Sequence, residues 1–345
     1  MAPKKARFLK NLISLVLDIF GIALIMGSVT LDLYQNDTGL YEIGNLQIAI
    51  IFVGITIAVI GNFTLQSPSL LTAVKSFKSV SFVVFMASLL LLMINSIGLG
   101  ISLRNPNVYN GLEYAGKIRT PKYSAKEIYA QMDRDASIDE QYSEYVKRLT
   151  KLIFDGSVHY WEENEENNAY NLRVPIHENY LIYFSNLLTG NQQNHEFCRA
   201  ERAIERSACV CSQSSKILAD ILGRNRVPTH IVGLEGHVVA RARVDKEMDE
   251  WWLLDADYGV VIEHDIDDVE SNLGYIQEAY EEQGYRQNFI DVLIDIYGPE
   301  GNSIIDENHE CGEEDHLYLL KWLIPAMGIL PFVAFMFIYQ IRRQK

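Results

Sequence analysis

The sequence predicts an α+β domain that is attached to a membrane by four transmembrane helices. Three observations predict this class: four long apolar stretches almost without charge, a long polar segment before the last of them, and a change from helix-like to strand-like patterns within that segment. The chain has 345 residues, with 30 Lys or Arg against 45 Asp or Glu and a net charge of −15. Because nucleic acids bind clustered positive charge, this balance argues against a nucleic-acid partner.

The apolar stretches lie at residues 11–33, 44–65, 80–103 and 317–341. About 20 mainly apolar residues are enough for a helix to cross a bilayer, and buried helices of soluble proteins are rarely this long. The first stretch is also too long for the hydrophobic region of a signal peptide, which predicts a retained anchor. We therefore expect a membrane region at 1–103, a domain at 104–316, and a transmembrane helix with a basic tail at 317–345.

The positive charges predict how these helices are oriented. Basic residues precede the first apolar stretch, separate the second from the third and follow the fourth, whereas the connection between the first and second stretches has none. Basic loops stay in the cytoplasm, so both termini are expected there. The 104–316 domain, with 41 acidic and 20 basic residues, is then periplasmic or extracellular, and the protein is a multi-pass protein of the cytoplasmic (plasma) membrane.

The 104–316 domain begins with helical patterns and continues with strands. Ser124 with Glu127, and Ser137 with Glu140, form capping-box patterns that predict two helix starts. A helical face of Ile and Leu follows Cys211, and three short apolar runs at 230–234, 237–244 and 251–256 predict strands. The charged residues 245–250 predict a hairpin connection between the last two runs.

Cys211, His237 and Asp255 are the candidate catalytic residues. Cys211 begins the predicted helix, where free backbone N–H groups and the helix dipole favour a thiolate. His237 precedes Lys246 by nine residues and Asp255 follows it by nine, so a hairpin centred on Lys246 would place them directly opposite each other. Cross-strand neighbours have Cβ atoms about 4.5–5.5 Å apart, which lets an imidazole meet a carboxylate.

These residues lie in motifs that resemble the transglutaminase-like superfamily, in particular a membrane-anchored member of bacterial type. The resemblance covers residues 197–260 best and extends more loosely over 104–316. Cys211 and Pro228 are 17 residues apart, a spacing similar to that between the nucleophile and the Gly-Ile-Pro-like turn of the family. The similar motifs are ACVCSQ at 208–213, VP at 227–228, GHVV at 236–239 and LDADYG at 254–259.

The resemblance implies a papain-like fold, with an antiparallel sheet packed on the nucleophile helix, and acyl transfer at amides. Cys211 would be the nucleophile, His237 the general base and acid, and Asp255 the residue that orients the imidazole. The expected substrate is a protein or peptide outside the cytoplasm, and no cofactor is expected. Gln213 departs from the Asp that is common in the family at that position. For the oxyanion we expect the Cys211 backbone N–H and a side-chain amide such as that of Gln193.

Two other classes of function remain open at this point. Some members of the superfamily are inactive, so the domain could be a membrane-anchored binding or scaffold module for the assembly of envelope polysaccharide or protein. Asp18 lies within the first apolar stretch, and an ionisable residue within a membrane span suggests a transporter or channel. However, no other ionisable residue lies deep in the apolar stretches to complete a proton or ion path. A hydrogen-bonded carboxyl within the bundle explains Asp18 more simply.

Several other residues have alternative roles. His230 is the alternative base. Asp257 could replace Asp255, but it is better explained as a residue that supports the site beside Asp255 or caps the turn. If Cys211 is free, at most one disulfide can form among Cys198, Cys209 and Cys311, and the sequence does not identify the pair. The acidic runs at 263–270 and 306–316 could bind Ca²⁺, although solvated surface explains them better, and no zinc-site spacing is present, so no metal is expected.

Overall fold

The computed structural model describes residues 34–35, 41–42, 70–135, 140–160, 173–189, 196–298, 302–305 and 311–344. The predicted spans at 11–33 and 44–65, with Asp18, lie outside these residues. The chain divides into two compact units, which we call the helical unit and the α+β unit. The helical unit comprises Met1–Ile101, Arg173–Gln193 and Gly312–Lys345, and the α+β unit comprises Ser102–Leu172 and Asn194–Cys311.

The helical unit contains two helices that are long and apolar enough to cross a membrane. Helix α1 is Leu70–Gly98 and helix α10 is Gly312–Gln344, and their candidate spans are Ser79–Gly98 and Glu314–Val333. The fourth predicted span therefore falls within α10. The third was expected to continue to residue 103, but α1 ends at Gly98. Of the four predicted spans, the described residues thus contain two.

Small and polar residues line the contact between α1 and α10. Ser81, Ser88 and Asn95 recur every seven residues of α1, and all three are buried. A Cβ atom on Gly328 would lie 2.2 Å from Ser88 Oγ, so glycine is needed for this approach. The Asn95 side chain donates to the Lys321 carbonyl at 2.7 Å. These contacts define an antiparallel pair of the kind that small residues permit within membranes.

The helical unit also holds a short hairpin and one further helix. Strands β1 (Tyr34–Gln35) and β2 (Tyr41–Glu42) pair antiparallel. Helix α4 (Tyr180–Thr189) matches a helix-like pattern in the sequence, but this part of the predicted 104–316 domain clusters with α1 and α10.

The α+β unit contains an antiparallel sheet of five strands in the order β10-β9-β8-β7-β11. The three strands predicted from apolar runs form its centre, which confirms the α+β class with an antiparallel sheet. The strands are β7 (Thr229–Leu234), β8 (His237–Asp245), β9 (Glu250–Asp255), β10 (Val260–Ile262) and β11 (Ser303–Ile305).

Helices pack on this sheet through buried apolar faces. Helix α6 (Cys211–Arg224) buries the predicted stripe of Ile217, Leu218, Ile221 and Leu222 and packs on β7 and β8. A second apolar cluster joins sheet residues such as Val239 to three helices near the C-terminal end of the unit. These helices are α7 (Ile266–Ser271), α8 (Gly274–Glu282) and α9 (Gln287–Ile296).

The remaining elements of the α+β unit precede α6 in the chain. The Ser124–Glu127 capping box is present at the start of α2. The second predicted box includes Ser137, which lies outside the described residues, and the next helix begins only at Tyr142. The elements are β3 (Leu112–Tyr114), β4 (Lys117–Arg119), α2 (Ala125–Tyr129), α3 (Tyr142–Gly156), β5 (Val158–His159), α5 (Ala200–Ile204) and β6 (Ala208–Cys209).

One disulfide joins Cys198 to Cys311, with 5.4 Å between their Cα atoms, and Cys209 and Cys211 are free. This agrees with the limit of one bridge and identifies the pair that the sequence left open. Because the bridge closes a loop across 113 residues of sequence, it restricts the unfolded chain strongly. It also encloses the three candidate catalytic residues.

Replacing Cys198 and Cys311 together by Ser is expected to lower the free energy of unfolding by about 2–4 kcal/mol. Urea unfolding followed by tryptophan fluorescence measures this loss in the full chain. Adding a reductant should destabilise the wild-type protein by a similar amount and leave the double variant unchanged. Equal stabilities of the two proteins without reductant would contradict the assignment of the bridge.

Candidate active site

Cys211 occupies the first position of α6. The preceding residue, Val210, is extended and provides no side-chain cap, so the N–H groups of the first turn are not occupied by a capping side chain. The Ser215 hydroxyl oxygen lies 3.0 Å from both the Cys211 carbonyl and the Val238 carbonyl. Ser215 thereby holds the start of α6 against β8. This contact packs the start of α6 on the hairpin that begins with β8, an arrangement that the sequence alone does not determine.

His237 begins β8, directly after the turn at Gly236. Gly236 has a φ of 80°, a conformation in which glycine lacks the strain of other residues. The His237 ring is buried, and its Nε2–H donates to Asp255 Oδ2 at 2.8 Å. The Cys211 side chain is near enough to act electrostatically on the ring, whose other nitrogen, Nδ1, has no contact with Asp255.

The register of the hairpin differs from the predicted one. Ala240 pairs with Leu254, so Asp255 extends the register opposite Val239 and not opposite His237. The prediction of direct opposition was wrong by two residues. A register shift between Arg243 and Asp245 lies close to the connection. Because side chains alternate across a strand, a two-residue slip keeps His237 and Asp255 on one face, and as diagonal neighbours they still form their hydrogen bond.

The Asp255 carboxylate accepts four hydrogen bonds. Its Oδ1 receives the backbone N–H groups of Asp257 and Tyr258 at 3.0 and 3.2 Å. Its Oδ2 receives His237 and the Tyr280 hydroxyl, the latter at 2.5 Å. This set of donors fixes the orientation of the carboxylate.

Tyr280 and Tyr297 extend this network from α8 and from the end of α9. Their hydroxyl oxygens are 3.2 Å apart, and both side chains are fully buried. Burial, followed by the negative charge of Asp255, raises the pKa of each tyrosine well above its usual value. Both therefore remain hydrogen-bond donors. Neither tyrosine was predicted, because no spacing pattern in the sequence connects a tyrosine on a later helix to the end of β9.

The electrostatics favour a protonated His237. Burial alone would lower the pKa of its imidazole, but the charge and hydrogen bond of Asp255, together with those of Cys211, raise the pKa well above its ordinary value. A protonated ring beside a cysteine at a helix start is the arrangement that stabilises a thiolate. The site can therefore hold a thiolate–imidazolium pair.

A second buried His–Asp pair lies beside the first. His159 Nδ1 and Asp257 Oδ2 are 2.7 Å apart, and both side chains are buried. Burial raises the pKa of Asp257, but the nearby His159 and His237 lower it below the usual value. Two roles were expected for Asp257, to support the site beside Asp255 or to cap the turn. The Asp255 carboxylate accepts the backbone N–H groups of the turn, whereas Asp257 pairs with His159 next to the site.

Gln213 and His230 have structural partners. Gln213 is buried and exchanges two hydrogen bonds with the backbone of Phe197, at 2.6 and 2.8 Å, so it secures the segment next to Cys198. His230, the alternative base, accepts from Arg241 at 3.1 Å and stacks on Trp251. Gln193, the suggested oxyanion donor, lies outside the described residues.

Cys209 differs from Cys211 in its surroundings. Its side chain is fully buried, its sulfur lies 3.1 Å from Ser214 Oγ, and burial raises the pKa of its thiol. Cys211 is only partly buried. Cys209 therefore offers an internal comparison for any measurement of thiol reactivity.

No group of three or more His, Cys, Asp or Glu side chains that could hold a metal ion occurs among the described residues. The 263–270 run contains the start of α7, where Asp265 accepts two hydrogen bonds from Arg241 and one from the backbone of Ile266. Residues 306–310 of the second acidic run lie outside the described residues.

Comparison of the chain with protein-family models, with curated proteins and with solved structures finds no match in any of the three. The likeness to the transglutaminase-like superfamily therefore stays a prediction from the motifs. The function has to be argued from the contacts of Cys211, His237 and Asp255 themselves.

Proposed function

We propose that the α+β unit catalyses acyl transfer from an amide or peptide through a thioester on Cys211. The observation that carries this proposal is the position of His237, which is hydrogen-bonded to Asp255 and lies within electrostatic reach of the Cys211 thiol. A nucleophile, a base and a residue that orients the base are the parts that such chemistry requires. The likeness of the surrounding motifs to the transglutaminase-like superfamily supports the same reaction.

The reaction would proceed in two halves. The Cys211 thiolate attacks the carbonyl carbon of the substrate and forms the carbon–sulfur bond. The imidazolium of His237 then gives its proton to the departing amine as the carbon–nitrogen bond breaks, which leaves a thioester and a neutral imidazole. In the second half His237 takes a proton from water or a second amine, which attacks the thioester and restores the thiolate. Asp255 holds the ring throughout and stabilises its charged form.

The oxyanion of each tetrahedral intermediate needs donors at the start of α6. The Cys211 backbone N–H and the positive end of the helix dipole supply one such environment. The neighbouring hydroxyl of Ser212 is engaged by the Glu196 carboxylate. The backbone of α6 is therefore the part of the described site best placed to stabilise the oxyanion.

We further propose that this chemistry takes place outside the cytoplasm, on a protein or peptide substrate near the membrane. The Cys198–Cys311 disulfide supports this location, because disulfides persist in oxidising compartments. The two helices that can cross a membrane supply the attachment. The positive charges around the apolar stretches favour cytoplasmic termini in a multi-pass protein.

Alkylation of Cys211 by iodoacetamide tests the proposed ion pair. An ordinary thiol is only about 0.3% ionised at pH 6, so its alkylation accelerates by about 100-fold between pH 6 and pH 8.5. For wild-type Cys211 we expect a fast reaction that changes little over this range. In the His237→Ala variant the reaction should slow at pH 6 and regain the steep rise. The rates can be measured by mass spectrometry of the peptide that contains Cys211.

The same digestion reports on Cys209, which should label slowly in both proteins if the folded structure is maintained. Fast labelling of Cys209 in His237→Ala would instead reveal unfolding, and the conservative His237→Gln variant would then replace it. A wild-type Cys211 that reacts like an ordinary thiol would contradict the proposal. That result would favour the alternative of an inactive binding or scaffold module.

The thioester gives a second and more direct test. Incubation with activated acyl donors should add one acyl group to wild-type protein, and hydroxylamine should remove it. Cys211→Ala should acquire no such group, whereas Cys209→Ala should still acquire it. An equal mass shift in the wild-type protein and Cys211→Ala would contradict Cys211 as the nucleophile.

A further inference from the structure

Helix α4 exposes an entirely apolar face. Its ten residues, YLIYFSNLLT, include no charged side chain. Four large side chains are exposed along one stripe, and Leu187 and Leu188 reach 61% and 66% exposure. The exposed residues are Tyr183, Phe184, Leu187 and Leu188. On the opposite side Ile182 and Ser185 are buried, and Tyr180 is buried at the start of the helix.

Polar contacts fix the segment before α4 to one end of the α1–α10 pair. The Lys321 ammonium donates to the Glu178 carbonyl at 2.6 Å, and the Tyr318 hydroxyl donates to the Glu178 carboxylate at 2.6 Å. On the other side, Gly98 lies against the backbone of His177, and a Cβ atom at Gly98 would approach the His177 oxygen to 1.9 Å. The position of α4 is therefore determined by both helices.

These contacts place α4 at the boundary of the candidate spans. Lys321 lies seven residues inside the span that begins at Glu314, and Gly98 ends the span of α1. At 1.5 Å per residue, the docking contacts lie within about 10 Å of the ends of the two spans. Interfacial helices bury their apolar faces about 5–10 Å into the boundary between headgroups and acyl chains. The docking contacts lie at a comparable depth, and the exposed stripe of α4 supplies an apolar face that can be buried there.

We propose that α4 is a membrane-interface helix whose exposed stripe inserts among the acyl chains of the leaflet at this boundary. The two spans also expose apolar side chains at the end where α4 docks, namely Leu99, Leu319 and Leu323. Tyr183, which packs edge-on against Phe184, has an amphipathic ring of the type that accumulates at membrane interfaces. The contacts with α10 then anchor the segment 173–189 in the bilayer. In the chain, this segment lies between the two parts of the α+β unit.

A nitroxide label at Leu187 tests this location in the full chain, reconstituted in lipid nanodiscs. Leu187→Cys is combined with Cys211→Ser so that the only exposed thiol among the described residues is the labelled one. We expect high accessibility of the nitroxide to oxygen and low accessibility to a water-soluble nickel chelate. Labels at Leu330, exposed on α10, and at Val292, exposed on α9, provide the lipid and water references.

Each other outcome would overturn the proposal. High accessibility to nickel, as at Val292, would place the stripe in water. Low accessibility to both reagents would mean that protein covers it, for example a second copy of this chain. A Leu330 label with the signature of water would show that α10 does not cross the bilayer, and α4 would then have no bilayer boundary to occupy.

A pair of glycine variants tests whether docking on α1 sets the position of α4. Gly98→Ala would place a methyl group against the His177 backbone, whereas the nearest atom to a Cβ at Gly100 lies at an ordinary 3.6 Å. With Gly98→Ala the Leu187 label should lose its difference between oxygen and nickel accessibility, and with Gly100→Ala it should keep it. Equal behaviour of the two variants would contradict docking through Gly98.

Discussion

Replacing Asp255 by Asn is expected to slow the alkylation of Cys211 at pH 6 by on the order of 100-fold, which is the difference between a thiolate and an ordinary thiol at that pH. The measurement is the rate of iodoacetamide labelling of Cys211. The fold should be little affected, since Asn has the shape of Asp and can keep two of its acceptor contacts.

The expected slowing depends on which oxygen of Asp255 accepts each hydrogen bond. Two backbone N–H groups point at Oδ1, so the carbonyl oxygen of Asn must remain there. The NH₂ group then faces His237 Nε2 and donates to it, which moves the ring proton to Nδ1. A ring with its proton on Nδ1 and no carboxylate beside it neither accepts the thiol proton nor stabilises a thiolate.

Tyr280→Phe provides the matched control. It also removes a hydrogen bond from Asp255, but the carboxylate keeps its charge and the contacts with His237 and the turn. Its effect on alkylation should therefore be much smaller than that of Asp255→Asn. Equal losses in the two variants would mean that rigidity, and not the position of the ring proton, controls Cys211. An Asp255→Asn variant that reacts like the wild type would contradict the role of Asp255.

The central part of the fold could be predicted because its pattern is local. Cys211 begins a helix whose Ile217 and Leu218 face the sheet, and alternating apolar residues mark the strands on either side of the turn at Gly236. The site residues lie at the ends of these elements, where chain spacing constrains them. The register was wrong by two residues because the length of a charged connection does not determine where a hairpin turns.

Contacts that join distant segments could not be predicted. His159 reaches Asp257 across 98 residues of sequence, and Tyr280 reaches Asp255 across 25. Neither distance follows a helical or strand period. The docking of Glu178 on Lys321 spans 143 residues, so the sequence placed α4 within the 104–316 domain although it packs with α1 and α10. Single-sequence periodicity describes elements, whereas such contacts depend on how elements pack.

Replacing Asp257 by Ala is expected to lower the free energy of unfolding by about 1–3 kcal/mol, the usual cost of leaving a buried hydrogen-bonding group without its partner. The carboxylate and the His159 ring are both almost inaccessible to water, so the ring would lose its acceptor where water cannot replace it. Urea unfolding of the full chain at neutral pH measures the loss. Asp249→Ala is the control, because Asp249 is exposed and its pair with Arg243 should contribute less than about 1 kcal/mol.

The pH dependence of the unfolding free energy distinguishes the contribution of the Asp257 charge from that of the space its side chain fills. Its pKa is lowered in the folded protein, so the stability gained from its ionisation is present above the unfolded pKa of about 3.9 and is lost as the pH falls through the folded pKa. The stability difference between the wild type and Asp257→Ala should therefore shrink as the solution is acidified below about pH 4. A difference that stays constant with pH would point to the cavity alone. Asp257→Asn should then be as stable as the wild type. If the charge of Asp257 contributes, Asp257→Asn should be less stable than the wild type at neutral pH.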